Sequence, residues 1–160
     1  MRSTEIEKYR FNLDTGDGRE FEPSKTTTGE FCENYAIQAK YESYSYVKLQ
    51  NEWDGLEFML NGDRIVRIDL ASPTNGISQI TTQSGAKIGD TEAQILALYP
   101  GQVEVSEHKY VSGGHDLTVT PQPNLPNDRN YRWVFETDGD RVTSIRAGQL
   151  PEVEWVERCS

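Results

Sequence analysis

Residues 58–68 read FMLNGDRIVRI, and residues 135–145 read FETDGDRVTSI. The second phrase follows the first at an offset of 77 positions and keeps its phenylalanine, glycine, aspartate, arginine and closing isoleucine. Each phrase sets a Gly-Asp-Arg turn between residues that favour β-structure, which is typical of a strand–turn–strand unit. The repetition predicts two related β-hairpins, at residues 56–70 and 133–147, within a sheet protein of two related parts.

The length of the turn decides which residues pair across each hairpin. Asn61-Gly62 suits a two-residue turn, whereas a three-residue loop over Asn61–Asp63 brings apolar residues opposite each other on one face. Because register follows the buried face, we favour the three-residue loop, with Gly62 supplying a positive φ. The predicted pairs are Phe58 with Val66, Leu56 with Ile68, Phe135 with Thr143 and Trp133 with Ile145.

One helix is predicted, over about residues 90–99. Asp90 can cap its free N–H groups, and Pro100-Gly101 ends the run. Ile95, Leu98 and Tyr99 fall on one side and would pack on the sheet. The segment at residues 11–23, 77 positions earlier, has no helical pattern. We therefore expect two matching hairpins in halves that otherwise differ.

The remaining pattern predicts an α+β fold with the helix packed on an antiparallel meander. Residues 103–110 and 115–120 alternate as a hairpin, and residues 152–157 form a last strand. Residues 1–30 are polar and turn-rich, which predicts a partly flexible N-terminal segment. Residues 31–160 then form a single compact domain with sub-halves at about 31–78 and 79–160.

Composition limits the classes of function. The net charge is −10, with 26 acidic and 16 basic residues, so the chain lacks the basic surface that nucleic acid or an anionic membrane requires. No apolar run is long enough to span a bilayer. Phosphate-cradling loops and hydrolase motifs are absent, and no cofactor is indicated. A cationic partner fits this charge, and so does a solvated acidic surface that serves solubility alone.

The two cysteines, Cys32 and Cys159, do not have the spacing of a zinc or redox motif. A disulfide between them would pin the C-terminus to an early strand and contribute on the order of 4–5 kcal/mol in the chain-entropy model. The alternative is two unrelated free thiols in a cytosolic protein. We expect the disulfide, and with it a periplasmic or secreted protein whose signal peptide has been removed.

The stretch GAKIGDTEAQI at residues 85–95, continuing to Tyr99-Pro100, resembles the start of the helix in BamE-like outer-membrane lipoproteins and β-lactamase-inhibitor-like domains. That resemblance implies helices laid on an antiparallel sheet and a role in binding other proteins. More broadly, residues 56–159 are similar to a group of uncharacterised proteobacterial secreted proteins and lipoproteins, which implies an exported location. The chain has no lipobox cysteine, so the resemblance does not extend to a lipid anchor.

Both histidines lie in one predicted hairpin, and this suggests a metal site. His108 and His115 would come near each other, and Glu107 and Asp116 could add oxygen ligands to zinc or copper. Alternation along strands places neighbouring residues on opposite faces, so exposed polar groups are the simpler interpretation. A triad of Ser112, His108 and Asp116 lacks the elbow and oxyanion hole that would accompany it.

Aromatic residues at Tyr41, Tyr44, Tyr46 and Trp53 suggest a platform for a sugar ring or a partner's side chains. Tyr44 and Tyr46 share a strand face and Tyr41 lies opposite, while core packing also explains such residues. Our sequence-based hypothesis is a non-enzymatic extracytoplasmic protein that binds another protein, for example as an inhibitor of a cationic enzyme. A carbohydrate-binding module and a metal-binding protein using His108 and His115 are the alternatives. The candidate binding residues are Tyr44, Tyr46, His108, Tyr110 and His115.

Overall fold

The computed structural model describes residues 11–12, 28–31, 44–48, 55–62, 64–72, 80–121 and 129–156. This part of the chain is mostly β with a single α-helix, α1 (Glu92–Leu98), and a 3-10 turn at Glu152–Glu154. The strands are β1 (Phe11–Asn12), β2 (Thr28–Phe31), β3 (Tyr44–Lys48), β4 (Leu56–Asn61), β5 (Arg64–Ala71), β6 (Thr81–Thr82), β7 (Val103–Glu107), β8 (His115–Val119), β9 (Tyr131–Thr137) and β10 (Val142–Gln149).

Eight of these strands form one antiparallel sheet in the order β2-β3-β4-β5-β10-β9-β8-β7. Each half of the sheet is a four-stranded meander that runs in chain order from an outer edge to the centre. The two meanders join where β5 pairs with β10. Our expectation that the halves differ beyond the hairpins is therefore wrong for the described strands, because both halves have the same strand order. The small β1–β6 pair lies outside this sheet.

The two hairpins exist as predicted, but the predicted pairing within them is wrong by two residues. Strand β5 carries an extra residue, Val66, between the residues that pair with Met59 and Leu60. Strand β10 carries an extra residue, Thr143, at the position 77 residues later. Each bulge inserts one residue without a partner and accounts for a shift of one residue beyond it. The other residue of the shift comes from the turn: Asn61 pairs with Arg64, so the favoured three-residue loop is wrong and the first hairpin has a two-residue loop. The observed pairs are Phe58 with Ile68, Leu56 with Leu70, Phe135 with Ile145 and Trp133 with Ala147.

The pairing of β5 with β10, where the meanders join, follows the same offset of 77 positions. Ile68 pairs with Ala147, and Leu70 pairs with Ile145. Ile145 is the counterpart of Ile68 at the offset of 77, and Ala147 is the counterpart of Leu70, so the two pairs are equivalent. Asp69 pairs with Arg146, its own counterpart in the repeat. A local pseudo-two-fold axis therefore passes through the sheet beside Asp69 and Arg146.

The larger core lies on the sheet face that α1 covers. A shift of two residues leaves side chains on the same face, so Leu56, Phe58 and Ile68 are buried there as predicted. Val66, at the bulge, instead packs in a second cluster with Tyr46 and Met59. Ile95 and Tyr99 of the helical segment pack on this face as expected, whereas Leu98 is 37% exposed. The main buried apolar residues of this face are Leu56, Phe58, Ile68, Leu70, Leu117, Val119, Phe135 and Ile145.

The helix begins one residue later than its predicted cap. Thr91 is the N-cap: its hydroxyl accepts the N–H of Gln94, and the Gln94 side chain accepts the N–H of Thr91. Asp90 instead accepts the N–H of Lys87 through its carboxylate, at 2.9 Å. Asp90 therefore closes the turn before the helix rather than the helix itself.

The last predicted strand, at residues 152–157, is a 3-10 turn over Glu152–Glu154. The carbonyl oxygens of Glu152 and Trp155 accept hydrogen bonds from the buried side chain of Arg67. Because these carbonyls point to a side chain, they are not available for a strand ladder. Most of residues 1–30, and the residues of the predicted disulfide, Cys32 and Cys159, lie outside the described residues.

Candidate functional site

The sheet face opposite α1, here called the back face, carries a network of buried charge. Arg67, Asp69, Glu136 and Arg146 lie there, and each is adjacent in the chain to a residue that faces the main core, namely Ile68, Leu70, Phe135 or Ile145. Arg67 is 1% exposed and Arg146 is 4% exposed. Burying such cations is costly unless each is paired and hydrogen-bonded, so their partners define the site.

Arg67 is satisfied from three directions. Its Nε donates to Asp69 Oδ2 at 2.9 Å, and Nη2 donates to the hydroxyl of Tyr46 at 2.5 Å. Its Nη1 donates to the carbonyls of Glu152 and Trp155, at 2.9 and 2.7 Å. Arg67 therefore holds the C-terminal turn against the back face.

A second set of charges lies beside it. Arg146 Nη2 lies 3.1 Å from Glu136 Oε1 and 3.9 Å from Asp116 Oδ1. Ser144 donates a very short hydrogen bond to the other oxygen of Glu136. Among the described residues, Arg146 Nε and Asp116 Oδ1 are buried without a hydrogen-bond partner. We call this set, with His108, the back-face cluster.

The environment of Asp116 disfavours its charged form. Burial raises the pKa of this carboxyl above its ordinary value, and the negative charge of Glu136 adds to the effect. The positive charge of Arg146 lowers the pKa but does not compensate. The cluster thus contains a carboxyl group that is less acidic than a solvated aspartate.

His108 is the cluster member nearest the β7–β8 loop. Its Nδ1 accepts the backbone N–H groups of Tyr110 and Val111, at 3.0 and 3.1 Å. A neutral imidazole that accepts through Nδ1 carries its proton on Nε2, and Nε2 lies 4.0 Å from Glu136 Oε2. The ring therefore shapes the loop with one nitrogen and faces the carboxylates with the other.

One potential metal site arises from this placement. Ligand atoms of His108, Asp116 and Glu136 lie within 4.8 Å of one another. A histidine ligand normally donates its second ring N–H, whereas Nδ1 of His108 accepts two hydrogen bonds. Arg146 also places a positive charge beside the same carboxylates. The donor set therefore fits a hydrogen-bonded ion network better than a metal centre.

A small pocket of about 70 Å³ opens beside the two arginines. Arg67, Asp69, Glu136, Ser144 and Arg146 contribute its polar lining. Pockets for drug-sized ligands have volumes of about 300–1,000 Å³, so this one has room only for a few water molecules or a very small solute.

His115 lies on the opposite side of the sheet from His108. Its Nδ1 is 2.8 Å from Glu92 Oε1 in the first turn of α1, and Thr137 donates to the same oxygen at 2.5 Å. Burial raises the pKa of Glu92, but these hydrogen bonds and the charge of His115 outweigh it, and the pKa is lowered overall. The alternative of a metal held by both histidines does not fit, because the two side chains face different layers.

The aromatic pair predicted from β3 also lies on the back face. Tyr44 and Tyr46 share a face as expected, but Tyr46 is 4% exposed. Tyr44 donates to Glu152 Oε1 at 2.8 Å, accepts from Asn61, and packs edge-on against Trp155 with ring centroids 5.3 Å apart. The pair fastens the C-terminal turn and offers no open platform for a sugar ring. Tyr41 and Trp53 lie outside the described residues.

Among the strands whose burial the structure describes, β7 at the end of the sheet is the most exposed. Four of its five residues are exposed, and Val105 is 49% exposed. The loop that follows exposes Tyr110 by 60% and Val111 by 40%, and the Lys109 ammonium lies 5.1 Å from the Tyr110 ring centroid. Glu104 and Glu107 are exposed on the same strand. We call β7 with residues 109–111 the β7 surface.

Arg67 and Arg146, which organise the site, are not predicted from the sequence. Each interrupts a run of apolar residues, as in IVRIDL at 65–70 and SIRAG at 144–148. A charge within such a run indicates either an exposed face or a buried ion pair, and alternation cannot distinguish them. Arg67 and Arg146 are buried because the C-terminal segment, which we predicted to be a strand, covers them.

Comparisons with protein-family models, with curated proteins and with solved structures gave no match. The resemblance to BamE-like and inhibitor-like domains therefore stays a prediction. Within the part of the chain described by the structure, no helix has the length and apolar character needed to cross a membrane.

Proposed function

We propose that this protein is a non-enzymatic binding protein, and that its partner is a cationic protein engaged by the β7 surface. The observation that carries the proposal is the composition of that surface. It combines an exposed strand with exposed apolar side chains, Val105, Tyr110 and Val111, beside Glu104 and Glu107. Apolar groups at the centre of an interface supply affinity, and charges around them supply orientation and speed of association.

The overall charge supports a partner of opposite sign. The chain carries a net charge of −10, and such a field accelerates encounter with a basic protein. The predicted export from the cytoplasm belongs to the same proposal and rests on the expected Cys32–Cys159 disulfide and the stated resemblances. An inhibitor of a cationic enzyme such as a lysozyme is the concrete version.

The two alternatives have less support. A carbohydrate module needs exposed aromatic rings, whereas Tyr46 is buried and Tyr44 is held by Glu152 and Asn61. A metal protein using both histidines needs them together, whereas His115 bonds to Glu92.

Binding to lysozyme, measured by calorimetry at low and at high salt, tests the proposal. We expect binding that weakens as salt is added, and we expect the double charge reversal E104K/E107K to weaken it by about tenfold or more. The control is D140K/E154K, which changes two other exposed acidic residues and gives the same net charge. Absent binding, salt-independent binding, or equal losses in the two variants would contradict a local acidic binding surface.

A further inference from the structure

The hydrogen bonds of β7 show which of its backbone groups face outward. In an antiparallel pair, alternate residues exchange hydrogen bonds with the partner strand, and the residues between them point away. The N–H of His108 donates to the carbonyl of Gly114, and the N–H of Thr120 donates to the carbonyl of Gln102. Even-numbered residues of β7 therefore bond to β8, while Val103, Val105 and Glu107 direct their backbone groups to the open side.

Strand β7 is also an edge. Among the described strands it pairs only with β8 and ends the eight-stranded sheet. Exposed edges are templates for another strand, and natural proteins usually protect them with charges, prolines or bulges. The β7–β8 register is continuous from Val103 to Glu107, so no bulge interrupts this edge.

We propose that β7 binds its partner by strand addition, with an extended segment of the cationic protein continuing the sheet. This inference rests on the proposed function and specifies how the partner is held. Backbone hydrogen bonds to Val105 and Glu107 supply affinity, and the side chains supply specificity.

The side chains of β7 define the chemistry of the added strand. Val105 and Glu107 lie on the face of α1, and Glu104 and Ser106 lie on the back face. A matching strand places an apolar residue opposite Val105 and a lysine or arginine opposite each glutamate. Opposite charges and apolar pairs in direct cross-strand positions are each worth about 0.2–1 kcal/mol.

A second copy of the same chain is a poorer occupant. It would bring another Glu104 and Glu107 to the same edge, from a molecule that also carries a charge of −10. Added repulsion of this kind opposes pairing. A basic segment removes that repulsion and neutralises the glutamates.

The probe is a short synthetic peptide in which valine and threonine alternate between lysines, with a control peptide that has glutamate in place of lysine. Val105→Pro removes the outward N–H without removing a hydrogen bond to β8, and proline is tolerated on an edge with that orientation. Val105→Thr keeps the N–H and a β-branched side chain. We expect the lysine peptide to bind the native protein and Val105→Thr, and to bind Val105→Pro about tenfold more weakly.

Amide hydrogen exchange of the native protein tests the same geometry without a variant. On binding the lysine peptide, the N–H groups of Val105 and Glu107 should become protected, while those of Glu104 and Ser106 are protected from the start. Unchanged exchange at Val105, or equal affinity of a folded Val105→Pro variant, overturns strand addition.

Other outcomes separate the two proposals. If lysozyme binds and responds to E104K/E107K but the lysine peptide does not bind, strand addition is wrong and the acidic surface stands. If neither probe binds, both proposals fail. Dimerisation of the native protein that Val105→Pro abolishes would show a second copy as the occupant and overturn the assignment of a basic partner.

Discussion

Two acidic side chains respond to their surroundings in opposite ways. Asp116 is partly buried near Glu136, and its pKa is raised despite Arg146. Asp138 is exposed in the β9–β10 turn, where hydrogen bonds from the backbone N–H groups of Arg141 and Asp140 lower its pKa. The same residue type therefore makes opposite contributions to stability as pH changes.

We expect Asp116→Asn to gain stability relative to the native protein as pH rises through the acid range. A raised pKa in the folded state means that the native protein loses stability as pH increases from the ordinary aspartate value to the raised one. The asparagine variant lacks this loss, so the difference in free energy of unfolding grows and then becomes constant. Urea unfolding at a series of pH values measures it.

Asp138→Asn is the matched control, with the opposite slope. Its lowered pKa stabilises the native fold above the ordinary aspartate value, and that contribution is lost as pH falls through the lowered pKa. The free energy of unfolding of Asp138→Asn, relative to that of the native protein, should therefore decrease as pH rises. If the difference in free energy of unfolding between Asp116→Asn and the native protein stays constant across the same pH range, the environment of Asp116 is not as described.

At the scale of single elements, α1 depends on its cap because it has only seven residues. Thr91 and Gln94 satisfy each other's backbone N–H groups, and no basic residue stabilises the last turn. Short helices have little intrinsic stability, so α1 is stabilised mainly by its cap and by the burial of Ile95.

We expect Thr91→Ala to lower the free energy of unfolding by about 1 kcal/mol, the usual cost of losing an N-cap side chain. Thr91→Ser keeps the accepting hydroxyl and should stay close to the native value. Denaturant unfolding of both variants, followed by far-ultraviolet circular dichroism, provides the measurement. Equal stability of the alanine and serine variants would contradict the capping role.

The elements differ in how far the sequence predicts them. The helix, both hairpins and the buried face of Phe58 and Ile68 follow from period and turn residues. The pairing partners do not, because the two-residue turn and the bulge at Val66 together shift the register by two residues, which leaves the apolar pattern the same.

The candidate site was less predictable than the strands. Residues that bury charge, such as Arg67 and Arg146, depend on a C-terminal turn that covers them from far along the chain. The sheet face on which each histidine side chain lies depends on the strand boundaries. His108 comes just after β7 ends at Glu107, whereas His115 is the first residue of β8. The exposed character of β7 follows from its place at the end of the sheet, which a single strand's sequence does not reveal.

At the scale of the molecule, stability depends on the contact between the two meanders. Gly148 of β10 pairs with Arg67 of β5 at this junction. A Cβ at Gly148 would lie 2.7 Å from the carbonyl oxygen of Val66 and 3.0 Å from the Cα of Arg67. These atoms belong to the backbone and cannot move aside as a side chain would.

We therefore expect Gly148→Ala to destabilise the protein by about 1–3 kcal/mol, the range for overpacking a tight site. Amide exchange should rise along β5 and β10, where the two meanders are joined. Thermal unfolding with hydrogen exchange tests both effects. A variant as stable as the native protein would mean that the meanders separate at little cost.

The pseudo-two-fold axis has a consequence for how such a sheet can originate. Asp69 and Arg146 occupy equivalent positions of the repeat and face each other across β5 and β10. In an assembly of two identical chains, each would face its own copy, aspartate against aspartate or arginine against arginine, and like charges directly opposite are destabilising. Fusion into one polypeptide removes that constraint, because each copy can then mutate alone. The opposite charges at the centre of the sheet require two unequal halves, and a single polypeptide supplies them.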